Sequence, residues 1–211
     1  MPNVPRSLQT LSKIVCVGSN YADHAKELGN EVPKEPLIFL KPPSSMIGDG
    51  DAILLPPQSL QVEFEGEIAI LLGQRLHHAS EAVAARAVRA VLAANDVTAR
   101  DLQRSDGQWT RAKGFDTFCP VGEPGANVPP LDDVTLVTRV NGEERQRARS
   151  AEMVFPIGAL LAYISTIMSL EPGDLVLTGT PAGVGVLHEG DVVEVEIEGV
   201  SSVRNPVRKA S

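Results

Sequence analysis

The stretch Gln61-Val-Glu-Phe-Glu-Gly-Glu67-Ile-Ala-Ile-Leu-Leu72-Gly73 decides the fold. Its first half alternates, and its second half, Ile68 to Leu72, is a solid apolar run. Alternation is the period of a strand with one polar face, and a short unbroken apolar run suits a strand covered on both faces. Glu63 to Gly73 therefore reads as one strand entering the core from a polar mouth. On it Glu63, Glu65 and Glu67 project to the same face, successive ones roughly 7 Å apart. Three like charges in a row repel unless water or a cation neutralises them. A solvated edge strand would satisfy them, but the apolar run that follows points inward. Gly66, between the last two carboxylates, implies that something approaches the backbone closely.

Outward from this strand the pattern stays rich in β structure. Lys13 to Val17, Leu37 to Lys41 and Ala52 to Leu55 are short strands, the last two stopped by Pro42-Pro43 and Pro56-Pro57. Asn141-Gly142 between alternating segments predicts a hairpin over Val134 to Arg149. Leu170-Glu-Pro-Gly-Asp174 and Leu187-His-Glu-Gly-Asp191 each set a Gly-Asp turn before a strand, Leu175 to Thr178 and Val192 to Ile197. Three helices are expected: Tyr21 to Leu28, capped by Asn20 and ended by Gly29; Ser80 to Ala94; and Phe155 to Leu170, with Pro156 in its first turn. Gly29 to Pro36 is a loop. The expected architecture is mainly β with peripheral helices, an α+β mixed roll or sandwich in a single domain.

Composition narrows the function classes. The chain has 211 residues, a net charge of −8 and 4% aromatic residues. Neither a phosphate-tracking surface nor a base-stacking platform fits these values, so no nucleic-acid partner is expected. No stretch approaches the ~20 apolar residues of a membrane span, and Met1 to Thr10 lacks a signal-peptide pattern. Cys16 in an apolar run and Cys119 before Pro120 read as buried reduced thiols. A cytoplasmic enzyme with no membrane partner is the expectation.

Candidate chemistry clusters in four places. Two of the three glutamates Glu63, Glu65 and Glu67, together with Asp96 from Asn95-Asp-Val-Thr-Ala-Arg-Asp101, would form an all-oxygen ligand set that suits Mg2+ or Mn2+ better than Zn2+. His24 and Glu27 lie three apart on one helical face, where a carboxylate can orient an imidazole as a general base. Lys113 sits in a weakly charged stretch beside Phe115 and Phe118, where a lysine reaches solvent or meets an anion. Leu177-Thr-Gly-Thr180-Pro-Ala-Gly-Val-Gly185 is a strand opening into a Gly-rich turn, a possible cradle of N–H groups for an anion. It matches neither the P-loop nor the dinucleotide fingerprint. His77, His78 and His188 read as surface residues.

These pieces, in this order, resemble the catalytic domain of the fumarylacetoacetate hydrolase superfamily. The resemblance rests on Gly18-Ser-Asn-Tyr-Ala-Asp-His24-Ala-Lys-Glu27, Phe39-Leu-Lys-Pro-Pro43, Glu65-Gly-Glu67, Asn95 to Gln103, Trp109 to Pro120, and Leu177-Thr-Gly-Thr-Pro181. It implies a catalytic domain over residues 14–211 behind a short extension over residues 1–13, and a homodimer. It implies Mg2+ or Mn2+ on Glu65, Glu67 and Asp96, with Glu63 outside the shell. It implies a His24–Glu27 base dyad on a lid-like segment, and substrate contacts from Lys113, Gln103 and Thr180, with Gly179 beside it. Arg104 to Gln108 is shorter than in acylpyruvate-hydrolysing mitochondrial relatives, which alters the mouth of the pocket.

The expected chemistry is hydrolysis of a C–C bond in a small 2-oxo acid of acylpyruvate or fumarylpyruvate type. His24 would activate the attacking water, and Lys113 and Gln103 would stabilise the oxyanion. Decarboxylation of oxaloacetate and isomerisation of a hydroxy-dienedioate pass through the same enolate and remain alternatives. A non-catalytic small-molecule binder on this fold is the more distant one.

Overall fold

Five strands form the central sheet, in the order Leu37–Lys41, Ile14–Gly18, Leu175–Leu177, Gly66–Leu72, Val88–Asn95. Ile14–Gly18 pairs parallel with Leu175–Leu177, and its other neighbour and the remaining pairs are antiparallel. The computed structural model that shows this describes every residue except Met1, Thr10, Leu28, Asn30 and Ser211. Successive side chains leave a strand on opposite faces, so Ile68, Ile70 and Leu72 join one apolar cluster and Ala69 and Leu71 another. The first cluster is closed by the helix Ile157–Ile167 and by Leu136, Val195 and Val203 of a second sheet. The other includes Leu8, Leu11, Met46 and Cys119. With both faces covered, the apolar run needs no polar alternate.

The second sheet runs Glu143–Arg149, Thr135–Val140, Val192–Ile197, Ser201–Lys209, Ile53–Leu55. Its Asn141-Gly142 turn has φ of 54° and 83°, the pair of positive values a type I′ hairpin requires. A three-stranded sheet, Gly185–Val186, Val62–Phe64 and Thr98–Ala99, lies over a third apolar cluster containing Phe64, Val97 and Phe118. The architecture is mainly β with helices outside it. No helix among the described residues is long and apolar enough to cross a membrane. Cys16 and Cys119 are free and buried, and burial pushes the Cys119 thiol up to about 12.

Four expectations change. The helix read over Ser80 to Ala94 spans only Glu81–Arg86, and Val88–Asn95 is a strand pairing Ile68 with Ala93 and Ile70 with Val91. Its run from Ala90 is buried on both faces and so carries no period to separate strand from helix. Val83, assigned to the helix's apolar face, is 44% exposed. The strand read as continuous from Glu63 to Gly73 breaks at Glu65, where the chain passes from the three-stranded to the central sheet. Asn20 does not cap the first helix, Ala22–Glu27. Its side chain accepts from Phe155 N at 2.8 Å and donates to Thr178 O at 2.8 Å, tying two loops together. Two short helices, Arg100–Asp106 and Thr110–Lys113, stand where none was expected.

Candidate active site

The strand switch at Glu65 builds the site. Gly66 pairs with Asn95, so the mouth ends of two central strands lie side by side, and Asp96 N donates to Glu65 O at 2.8 Å. Asn95 fixes the crossing by accepting Glu65 N at 2.9 Å. One carboxylate oxygen from each of Glu65, Glu67 and Asp96 then falls within 4.8 Å of the others, all three side chains buried. A Cβ on Gly66 would stand 1.9 Å from Thr138 Oγ1, so the close approach expected there is made by a side chain of the second sheet.

Three buried cations face this trio. Lys113 Nζ donates to Glu65 Oε2 at 2.9 Å and Asp96 Oδ2 at 2.6 Å, and Lys41 Nζ to Asp96 Oδ1 at 2.7 Å. Arg100 donates to Glu63 through Nε at 2.8 Å and to Glu65 through Nη2. Burial alone would raise the Glu65 carboxyl, but Lys113 and Arg100 outweigh it and hold it far below the carboxylate range. Burial would likewise lower Lys113, yet Asp96 and Glu65 raise it, so its ammonium persists. Glu67 lacks such a partner. Burial, then repulsion from Asp96 and Glu65, pushes it well above its ordinary value, and the nearby Lys113 charge with a donated Gly179 N–H at 2.7 Å offsets only part of this. A buried carboxyl strained by two like charges, among oxygen donors this close, is a setting that a hard divalent cation fits.

A cavity of about 180 Å³ opens onto the trio. This is below the ~300–1,000 Å³ of sites for drug-sized ligands, so it suits a small acid. His24, Gln103, Lys113 and Thr180 also line it, with Arg100, Arg104, Phe39 and Trp109. His24 is buried, and its Nδ1 lies 3.1 Å from Glu27 Oε2. Glu27 is itself held by Gly183 N at 3.1 Å. Gly183 has φ of +100°, and a Cβ there would meet Arg145 O at 2.1 Å, so only glycine lets the turn reach Glu27.

The Gly-rich turn does cradle an anion, but the anion is the protein's own. Gly179 N–H is spent on Glu67, and Thr180 Oγ1 donates to Gly66 O at 2.8 Å while accepting from Gln146 Nε2. Glu63 sits outside the trio, bound to Arg100 and Gln61. Sequence reasoning gave no role to Lys41, Arg100 and Gln146. Only Lys41 carried a signal, a lone lysine closing an apolar strand before two prolines. Gln146 hides on a strand with an otherwise mostly exposed pattern, yet accepts Gly66 N at 3.0 Å and donates to Pro181 O at 2.8 Å.

Comparison with known proteins identifies the family. The family described as fumarylacetoacetate (FAA) hydrolase C-terminal matches residues 13–208. The mitochondrial oxaloacetate tautomerase of Arabidopsis thaliana is 43% identical over 212 residues, 98% of this chain and 95% of its own. The crystal structure of 2-hydroxyhepta-2,4-diene-1,7-dioate isomerase from Mycobacterium marinum is similar at a TM-score of 0.87 and 46% identity, covering 95% of this chain and 76% of that one. Fumarylpyruvate hydrolase from Pseudomonas aeruginosa, solved with Mn2+ and pyruvate, is similar at 0.89 and 30% identity, covering 95% and 91%. The chain belongs to the fumarylacetoacetate hydrolase family.

Proposed function

We propose that this protein is a divalent-metal-dependent enzyme that interconverts the keto and enol forms of a small 2-oxo acid of the oxaloacetate type. The observation that carries it is a buried imidazole, oriented by Glu27, facing the same small cavity as the Glu65, Glu67 and Asp96 trio. Glu65, Glu67 and Asp96 would hold Mg2+ or Mn2+, which would supply Lewis acidity toward the 2-oxo carboxylate. His24 takes the proton from C3 through Nε2, with Glu27 fixing Nδ1–H and stabilising the imidazolium. Lys113 and Gln103 supply the donors for the oxygen that gains charge, and protonation of that oxygen completes the enol. Phe39 and Trp109, packed edge to face with centroids 5.2 Å apart, wall the cavity against water.

Hydrolysis of an acylpyruvate, the chemistry favoured from sequence, is the second reading. The likeness to fumarylpyruvate hydrolase supports it, with His24 deprotonating water instead of carbon. The tautomerase and isomerase relatives are nearer in sequence, which supports enolisation as the first reading. Oxaloacetate and acetylpyruvate, each followed with Mg2+ and with a chelator, decide between them. We expect Mg2+-dependent enol–keto equilibration of oxaloacetate, lost by ~10²-fold or more in His24→Ala. Acetylpyruvate cleavage exceeding that rate would reverse the order of the two readings, and full activity after exhaustive chelation would remove both.

A further inference from the structure

Arg100, Gln103 and Arg104 lie at i, i+3 and i+4 of the short helix Arg100–Asp106, so all three face the cavity from one side. They differ in what they already hold. Arg100 is buried and bound to Glu63 and Glu65, and Gln103 accepts from Arg100. Arg104 is exposed at the mouth, and no carboxylate pairs with it among the described residues. Its guanidinium makes one long contact, 3.3 Å, with the neutral Gln61 Oε1. Lys41, Lys113 and Arg100, the buried cations of the site, are all committed to carboxylates.

Charge and reach point the same way. Four carboxylates, Glu63 included, face three buried cations, leaving one negative charge that a divalent cation turns to one positive. The 2-oxo carboxylate end of a substrate cancels it. A second carboxylate would have no counter-charge inside the cavity. Arg104 offers one a helical turn further out, about 6 Å of rise from Arg100, comparable to the length of a four-carbon chain. We propose that Arg104 is the specificity-determining residue for the far end of the substrate: its guanidinium takes the distal carboxylate of a 2-oxo dicarboxylic acid. The inference rests on the reading of this cavity as a 2-oxo acid site and adds the class of acid, diacids over neutral-tailed analogues. Gln61 holds the guanidinium at the rim without neutralising it, and also donates to Glu63 at 2.6 Å, tying the rim to the Arg100 network.

The test compares wild type, Arg104→Gln and Arg104→Lys, all loaded with Mg2+, on oxaloacetate and its 4-methyl ester. Loss of one charge-assisted contact should lower kcat/KM for oxaloacetate ~10–100-fold in Arg104→Gln, chiefly through KM. The ester should change by no more than about twofold, and Arg104→Lys should recover part of the loss. Equal losses on acid and ester, or none on the acid, would overturn the proposal. Calorimetric binding of malate and 2-hydroxybutyrate gives a readout independent of turnover, since the second has a methyl where the first has a carboxylate. A preference of wild type for malate that disappears in Arg104→Gln upholds the assignment. No preference in wild type, or one that survives the substitution, overturns it. If wild type turns over neither form of oxaloacetate, the catalytic reading fails, and the binding ratio still decides Arg104.

Discussion

Glu65 and Glu67 stand two residues apart in opposite fields. Glu65 is gripped by Lys113 and Arg100, whereas Glu67 faces Asp96 and Glu65 with only the more distant Lys113 charge and one backbone N–H for relief. Both substitutions should abolish activity, but their effects on the metal-free fold should have opposite signs. Glu65→Ala leaves two buried cations short of a partner and should cost ~3–5 kcal/mol. Glu67→Gln keeps the shape, removes the repelled charge and should stabilise by about 1 kcal/mol, roughly 2–4 °C in Tm. Because Glu67 titrates above its unfolded value, its favourable contribution is complete at acid pH and is lost as pH rises through the folded value. The gap between Glu67→Gln and wild type should therefore widen with pH in chelator. Mg2+ must displace that proton, so its affinity for wild type should fall on acidification. Thermal melts across pH check both, and a Glu67→Gln protein less stable than wild type at every pH would contradict the argument.

At the scale of elements, what could be read in the sequence was what local chemistry fixes. Asn141-Gly142 demanded a hairpin, the Ile68 to Leu72 run demanded a strand covered on both faces, and alternation put the glutamates at its polar mouth, while the choice of Glu65, Glu67 and Asp96 as a set came from the family resemblance. Val88–Asn95 was illegible because a doubly buried strand has no period. Arg100 was illegible because only tertiary pairing makes it internal, and Lys41 showed only as a lone lysine closing an apolar strand. The two Gly-Asp turns show both cases. Each aspartate accepts the N–H three residues back, Asp174 from Glu171 at 2.8 Å and Asp191 from His188 at 2.7 Å, with Gly173 and Gly190 both at φ of 93°. Yet only Asp174 is fully buried, and it also binds Ser12 and Lys13, fastening the segment before the Ile14–Gly18 strand to the turn before Leu175–Leu177. Burial would raise its carboxyl, but the Glu171 N–H, Lys13 and Ser12 lower it. A depressed value means its stabilisation is present above ~pH 4 and disappears as pH falls through the folded value. Asp174→Asn should cost ~2–4 kcal/mol at pH 7 and progressively less below ~pH 4, whereas Asp191→Asn should cost under ~1 kcal/mol. Urea titrations at both pH values measure this, and a penalty for Asp174→Asn that does not shrink in acid would contradict the assignment.

The whole molecule converges on the carboxylate trio. Glu65 lies where the three-stranded sheet hands the chain to the central sheet, Thr138 of the second sheet abuts Gly66, and Gln146 pins Gly66 to the Thr180 turn. A ligand that binds this point therefore acts where the three larger sheets meet and has no local unit to stabilise separately. Metal binding should accordingly raise global stability, by about 2.7 kcal/mol at a hundredfold excess over Kd. For a chain of this size that is roughly 5–10 °C. Asp96→Asn keeps an acceptor for only one of Lys41 and Lys113, which bind its two oxygens separately; it should start from a lower Tm, and with the ligand set weakened it should melt with little response to Mg2+. Differential scanning calorimetry with and without Mg2+ separates the possibilities. One transition, moved upward in wild type and nearly fixed in Asp96→Asn, is the expected result. Two transitions of which Mg2+ shifts only one would mean that the trio reports on a part that unfolds by itself, and the sheets would then be less tightly joined at Glu65 than their shared contacts imply.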